Sequence, residues 1–138
     1  MNKALIVIDL QNDITKNYKD IIDNVNAAIA KAKESGFFVV YIKHNNLSAG
    51  TRTFKPNTKG EAFVPELNVV SDNIFVKSKA SALTIDEFTR FIDVYVAGAD
   101  ATACVKSTCF NMTKCGYAVH VLSDCITSYD KTKIPEML

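Results

Sequence analysis

"ALIVIDLQND", residues 4–13, is an unbroken apolar run that stops at a carboxylate, Asp9. Residues 4–8 place aliphatic side chains at odd and even positions alike, so a strand here has no face to give to water. It belongs inside a sheet, buried on both sides, as in parallel sheets covered by helices. Downstream, Ile21, Ile22, Val25, Ala28, Ile29 and Ala32 recur at helical spacing, with Asp20 early, Lys31 and Lys33 late, and Gly36 placed as the residue just past the helix end. Residues 37–42 form a second apolar run, and the first forty-odd residues therefore spell strand, helix, strand with a right-handed parallel crossover.

The alternation continues. Residues 73–76 read as a third strand. Thr84 and Glu87 form a capping box for a helix that buries Phe88, Phe91 and Ile92, residues 93–97 a fourth strand, 102–114 a helix ending near Gly116, and 118–122 a fifth strand. The expected fold class is α/β: a single three-layer α/β/α domain over residues 1–138 with a mostly parallel, Rossmann-like sheet. Between the second and third strands, residues 45–67 have little periodicity and many turn formers, the mark of a functional or mobile loop.

Composition narrows the function. With 138 residues, 48% of them hydrophobic, there is material for one compact core. Sixteen basic and fifteen acidic side chains leave a net charge of +1 with no clustered basic face, which argues against a nucleic acid partner. No apolar run approaches the roughly 20 residues that span a bilayer, and the first ten residues lack the h-region of a secretory signal, so no membrane partner and a cytoplasmic location are expected. Cys104, Cys109, Cys115 and Cys125 form no CxxC pair and have no accompanying histidines, so they read as free thiols with no zinc site and no cofactor.

In open parallel sheets, ligands bind beyond the carboxyl ends of the strands. Asp9 follows the first strand, Lys77 the third, and Cys104 opens the helix after the fourth, so three reactive side-chain types share one edge. Singly each has an ordinary role: a small buried hydrophobe for Cys104, a turn cap for Asp9, a solvated surface lysine for Lys77. Together they make a nucleophilic site. A cysteine at a helix N-terminus near an ammonium is biased toward thiolate, and a neighbouring carboxylate can take its proton and later serve an attacking water.

"IVIDLQND" (6–13), "VKSKASAL" (76–83) and "VAGADATACV" (96–105) resemble, in order and at similar intervals, the three signature segments of the isochorismatase-like cysteine hydrolases. The resemblance implies a catalytic triad of Asp9, Lys77 and Cys104. It also implies a cis peptide at Ala99–Asp100 and an oxyanion hole made by the backbone N–H groups of Asp100 and Cys104. The implied chemistry is acyl transfer to the cysteine from a small-molecule amide or related C–N substrate. Vinyl ether hydrolysis of the isochorismatase type and a non-catalytic binding or subunit protein of the same fold are the alternatives.

Departures from the family pattern refine these expectations. "YIKHNNLSAG" (41–50) has His44 but not the Asp-x-His arrangement that resembles the metal site of the nicotinamidase branch, so no metal is expected. His44 reads as a polar loop residue and His120 as a structural one. Leu83 stands where an aromatic residue is common, and Ala101 where threonine is common. After "VLSDCITSYD" (121–130) the family continues through helix, strand and helix, whereas this chain ends at Leu138, so the sheet is expected to be shortened and its fifth strand covered in a homo-oligomer.

Overall fold

The computed structural model describes residues 3–12, 18–45, 58–60, 62–77, 93–114 and 116–128, without the side chains of Lys77, Thr102 and Ala103. The capping box at Thr84 and Glu87 and the helix expected to follow it, Lys79, Cys115 and the C-terminal stretch lie outside the described residues. Five strands form one parallel sheet: β1 (Lys3–Ile8), β2 (Phe38–His44), β3 (Ile74–Lys77), β4 (Asp93–Gly98) and β5 (Ala118–Ile126). Among the described residues the α-helices are α1 (Ile22–Glu34), between β1 and β2, and α2 (Lys106–Lys114), between β4 and β5. The strand order is β3-β2-β1-β4-β5.

β1 is the central strand, and the side-chain alternation along it divides the core. Leu5 and Val7 point to the side where α1 lays down Ile22, Val25, Ile29 and Ala32, joined there by Val39, Tyr41 and Ala97. Ala4, Ile6 and Ile8 point to the opposite side, where α2 and the turn before it contribute Val105, Cys109 and Met112 against Val40, Ile42, Val94 and Val96. Each of the residues Ala4 to Ile8 is at most 2% exposed, as an apolar run without a polar face requires. Burying one such aliphatic side chain adds about 2 kcal/mol, so a single charge placed in β1 would oppose folding strongly.

α1 ends where the sequence says it should. The N–H of Gly36 reaches Lys33 O at 3.2 Å and that of Phe37 reaches Ala32 O at 2.9 Å, the paired bonds of a Schellman close, with Gly36 at φ +80°. Asp23 in the first turn and Lys31 and Lys33 in the last complement the helix dipole.

The segment after β2 differs from its sequence reading. Residues 62–71 are tied down rather than loose: Val64 and Leu67 are buried in the α1-side core. The Asn26 amide donates to Glu66 O at 2.8 Å and accepts the Asn68 N–H at 2.8 Å. The Tyr41 hydroxyl donates to Asn68 O at 2.7 Å and accepts the Val70 N–H at 2.9 Å. Polar side chains of α1 and β2 do the pinning, which a search for hydrophobic periodicity does not register. No helix among the described residues is long and apolar enough to cross a membrane.

Candidate active site

The chain turns outward from β1 to its left through α1 and from β4 to its right through α2, so the two exits diverge above neighbouring strands. Such a point of reversal leaves a crevice at the carboxyl edge. Asp9 stands on one wall of it. The residue is 1% exposed, has φ +56°, and its N–H donates to Ile42 O at 3.0 Å. That left-handed conformation is rare for residues other than glycine, with Asp and Asn the usual exceptions, and it turns the backbone out of the strand immediately after Ile8.

The other wall is the turn after β4. Gly98 lies at φ +124° and pairs with Ile8, and the Ala99 N–H donates to Ile8 O at 2.9 Å. The Ala99–Asp100 peptide is cis. From the far side, β5 holds the same turn: the Thr127 N–H donates to Gly98 O at 3.1 Å and the Ala101 N–H to Thr127 O at 2.8 Å. For this β5 runs further than its sequence pattern indicates, to Ile126 rather than residue 122. Val96 pairs with Val121, yet Gly98 pairs with Ile126, so the extra β5 residues bulge between the two pairings. Thr127 and Ser128, just beyond, are each 1% exposed.

Cys104 follows in the turn Ala101–Val105, which is wound more widely than an α-helix, the Val105 N–H reaching Asp100 O at 3.0 Å. The helical pattern of the sequence spans 102–114 without a break. Instead a wide turn carries Cys104, and α2 proper starts at Lys106. Such π-type turns concentrate at functional sites because they displace a side chain from the regular helical path. Cys104 is half-buried against the α2-side core. The other described cysteines are different: burial pushes the Cys109 thiol up to about 11. Burial first, then a hydrogen bond and the charge of Asp124, push Cys125 up to about 12. Both stay protonated and inert at neutral pH.

Lys77 is the last residue of β3 and pairs in register with His44 of β2. The structure thus places Asp9, Lys77 and Cys104 at the same edge of the sheet, just after β1, at the end of β3 and after β4. Asp9 and the cysteine turn flank the point of reversal, while Lys77 stands across β2 from Asp9.

Two residues at this edge had no role assigned from the sequence. Gln11 is fully buried, and its amide pairs with both backbone groups of His44. A polar amide three residues past the buried run is the available signal. Asn45, the residue after β2, has its Oδ1 screened from solvent with no hydrogen-bond partner among the described residues. His120 packs differently from a core histidine: it is stacked on Tyr95 at 4.6 Å with Nε2 at 3.6 Å from Asp93 Oδ1, at the exposed start of β5. A cavity of about 340 Å³ opens elsewhere, on the α1 side toward the amino ends of the strands. Lined by Leu5, Ala32, Phe37, Tyr95 and Leu122, it holds none of these reactive groups.

The family model of the isochorismatase domain matches residues 3–136. The chain belongs to the isochorismatase family. An Arabidopsis thaliana member named "Probable inactive nicotinamidase" is 26% identical, the alignment covering 89% of this chain and 79% of that protein. The pyrazinamidase of Pyrococcus horikoshii, solved with zinc, superposes with a TM-score of 0.85 at 24% identity, covering 99% of this chain and 92% of its own. The nicotinamidase of Bacillus subtilis gives 0.82 at 18% identity, with 99% and 92% covered. These structures share the fold of this isochorismatase-family chain. Among its described residues no three His, Cys, Asp or Glu side chains gather to hold a metal ion, and β2 exits through His44 and Asn45. Within the described residues that donor set does not fit zinc.

Proposed function

We propose that this isochorismatase-family protein is a cysteine-dependent hydrolase of a small amide or related C–N substrate. The observation that carries the reading is the placement of a buried acid, Asp9, and a half-buried thiol, Cys104, on the two walls of the crevice where the strand order reverses. Asp9 accepts the Cys104 proton, and the thiolate forms a C–S bond to the substrate carbonyl carbon. The backbone N–H groups of Asp100 and Cys104 receive the oxyanion. Collapse breaks the C–N bond, and the leaving nitrogen takes the proton held by Asp9. Water, activated by the same carboxylate, then cleaves the thioester, releasing the acid and restoring the thiol.

Lys77 supplies the positive charge that favours carboxylate and thiolate. It lies two strand spacings from Asp9, about 10 Å between α-carbons, within the combined reach of a lysine stem and a carboxyl group. The N-terminus of α2 adds its dipole from the other side. The Asn45 Oδ1, without a hydrogen-bond partner among the described residues, is an acceptor suited to a substrate N–H, which favours an amide or ureide over a vinyl ether.

The name of the Arabidopsis relative favours a second reading, in which this chain binds a small molecule without turning it over. Alkylation separates the two. Iodoacetamide should modify Cys104 at pH 6, where an ordinary thiol is almost wholly protonated, and Cys104→Ala should abolish hydrolysis across a screen of small amides, ureides and vinyl ethers. A Cys104 as slow at pH 6 as free cysteine, or a Cys104→Ala protein with full activity, would refute the mechanism.

A further inference from the structure

In a regular parallel ladder, the bond from the Asp9 N–H to Ile42 O would be followed by two more: His44 N–H to Asp9 O, and Gln11 N–H to His44 O. Neither forms that way. The Asp9 backbone turns away at φ +56°, and its carbonyl accepts the N–H of Gln11 at 2.9 Å instead. The Gln11 side chain takes over the two lost rungs. Its Oε1 accepts the His44 N–H at 2.8 Å, and its Nε2 donates to His44 O at 3.0 Å. The amide thus stands in for a peptide group, and its orientation is fixed, since a flipped amide would set donor against donor and acceptor against acceptor.

The other flank of this turn is braced by backbone. Gln11 bridges Phe63 in antiparallel fashion, the Val64 N–H donates to Leu10 O at 2.9 Å, and the Asn12 N–H donates to Ala62 O at 2.8 Å. Asp9 therefore has both backbone groups held, one by β2 directly and one through Gln11, whose own place is set by His44 and by residues 62–64.

We infer that Gln11 is the positioning residue for the Asp9 carboxylate: its amide completes the ladder that Asp9 breaks, and so permits a buried acid to leave the strand at one fixed angle. This rests on the proposed role of Asp9 toward Cys104. Both amide bonds of Gln11 go to the backbone of His44 rather than to a reacting group. The effect of Gln11 on the chemistry passes entirely through Asp9.

The test is the pH dependence of Cys104 alkylation by iodoacetamide, site-resolved by mass spectrometry, in the full chain and in Asp9→Asn, Gln11→Met and the double variant. Asp9→Asn should shift the profile. Gln11→Met, of similar length but without the amide, should shift it in the same direction by a comparable amount, and the double variant should add nothing, because two changes acting through one group are not additive. A folded Gln11→Met with the wild-type profile, or a double variant with summed shifts, would overturn the inference alone. An Asp9→Asn profile identical to wild type would overturn it together with the reading of the site. Should Gln11→Met fail to fold, Gln11→Glu carries the test. Its protonated carboxyl can both accept from and donate to His44, so its profile should match wild type at the acid end and depart as the glutamate ionises. A wild-type profile throughout, with that glutamate shown to titrate, would overturn the inference.

Discussion

Replacing Gly98 by alanine should be among the most damaging one-carbon changes available to this protein. A Cβ built there would sit 2.1 Å from Ile8 O, 2.7 Å from Ile8 N and 2.8 Å from Ile8 C, closer than side-chain carbons come to backbone atoms they are not bonded to. None of these is the end of a flexible side chain, so β1 and β4 must part. The residue also sits at φ +124°, which costs a side-chain-bearing residue about 1–3 kcal/mol. Forcing an extra methyl into a close-packed contact adds about 1–3 kcal/mol, and the bond from Ala99 N–H to Ile8 O contributes about 1 kcal/mol more if lost. The expected loss is about 3–7 kcal/mol, against a total stability of about 5–15 kcal/mol for an ordinary domain. In urea, with a slope of about 2 kcal/mol per molar, the unfolding midpoint followed by circular dichroism should fall by about 1.5–3.5 M. Gly36→Ala is the internal control. Its φ is +80° but nothing lies within 4 Å of the added carbon, so only the conformational cost of about 1 kcal/mol applies. A Gly98→Ala midpoint no lower than that of Gly36→Ala would refute the argument from contact.

Two further outcomes are expected. Lys77→Met should raise the Cys104 thiol pKa and lower turnover by orders of magnitude, whereas Lys79→Met should change little; alkylation of Cys104 against pH in both variants checks this, and a shift confined to Lys79→Met would reverse the assignment. Stability should fall in alkali, because the Cys109 and Cys125 thiols, raised from 9.0 to about 11 and about 12 in the folded chain, stay protonated while the unfolded chain loses its protons first. Their contribution is full below about pH 9 and is lost above it at up to about 1.4 kcal/mol per pH unit per thiol, so the urea midpoint should drop between about pH 9 and 10.5, and less steeply in Cys109→Ala/Cys125→Ala. A slope unchanged in that double variant would show that other groups set it.

The elements that could be read from sequence are those whose signal is local. The β1 run, the apolar stripe of α1 and its closing glycine each report a neighbourhood of a few residues, and the structure keeps them within a residue or two. The fifth strand was cut short because "SDCI" (123–126) interrupts the apolar pattern, and its pairing depends on the turn after Gly98 rather than on its own hydrophobicity. The wide turn at Ala101–Val105 leaves no mark in helical periodicity, since it displaces one residue within a pattern averaged over many. Gln11 was visible only as a letter. Its partners are the N–H and C=O of His44, thirty-three residues away, and a backbone partner has no identity in the sequence.

Strand order is the feature on which the site depends most, and alternation alone does not supply it. A chain of the same alternating elements could lay its strands in the order 1-2-3-4-5, which would put Asp9 at a sheet edge and the turn carrying Cys104 three strand spacings away, about 14 Å. The two cores decide otherwise. α1 packs on the odd-numbered side chains of β1 and α2 on the even-numbered face, so the two helices cover opposite sides of one sheet. With right-handed crossovers, helices on opposite faces require the chain to move in opposite directions from β1 and from β4. The reversal must then fall between β1 and β4, the pair joined at Ile8 and Gly98. Asp9 and the turn carrying Cys104 flank that seam because an apolar run fills both faces of β1, and a glycine at position 98 lets the neighbouring strand close against it.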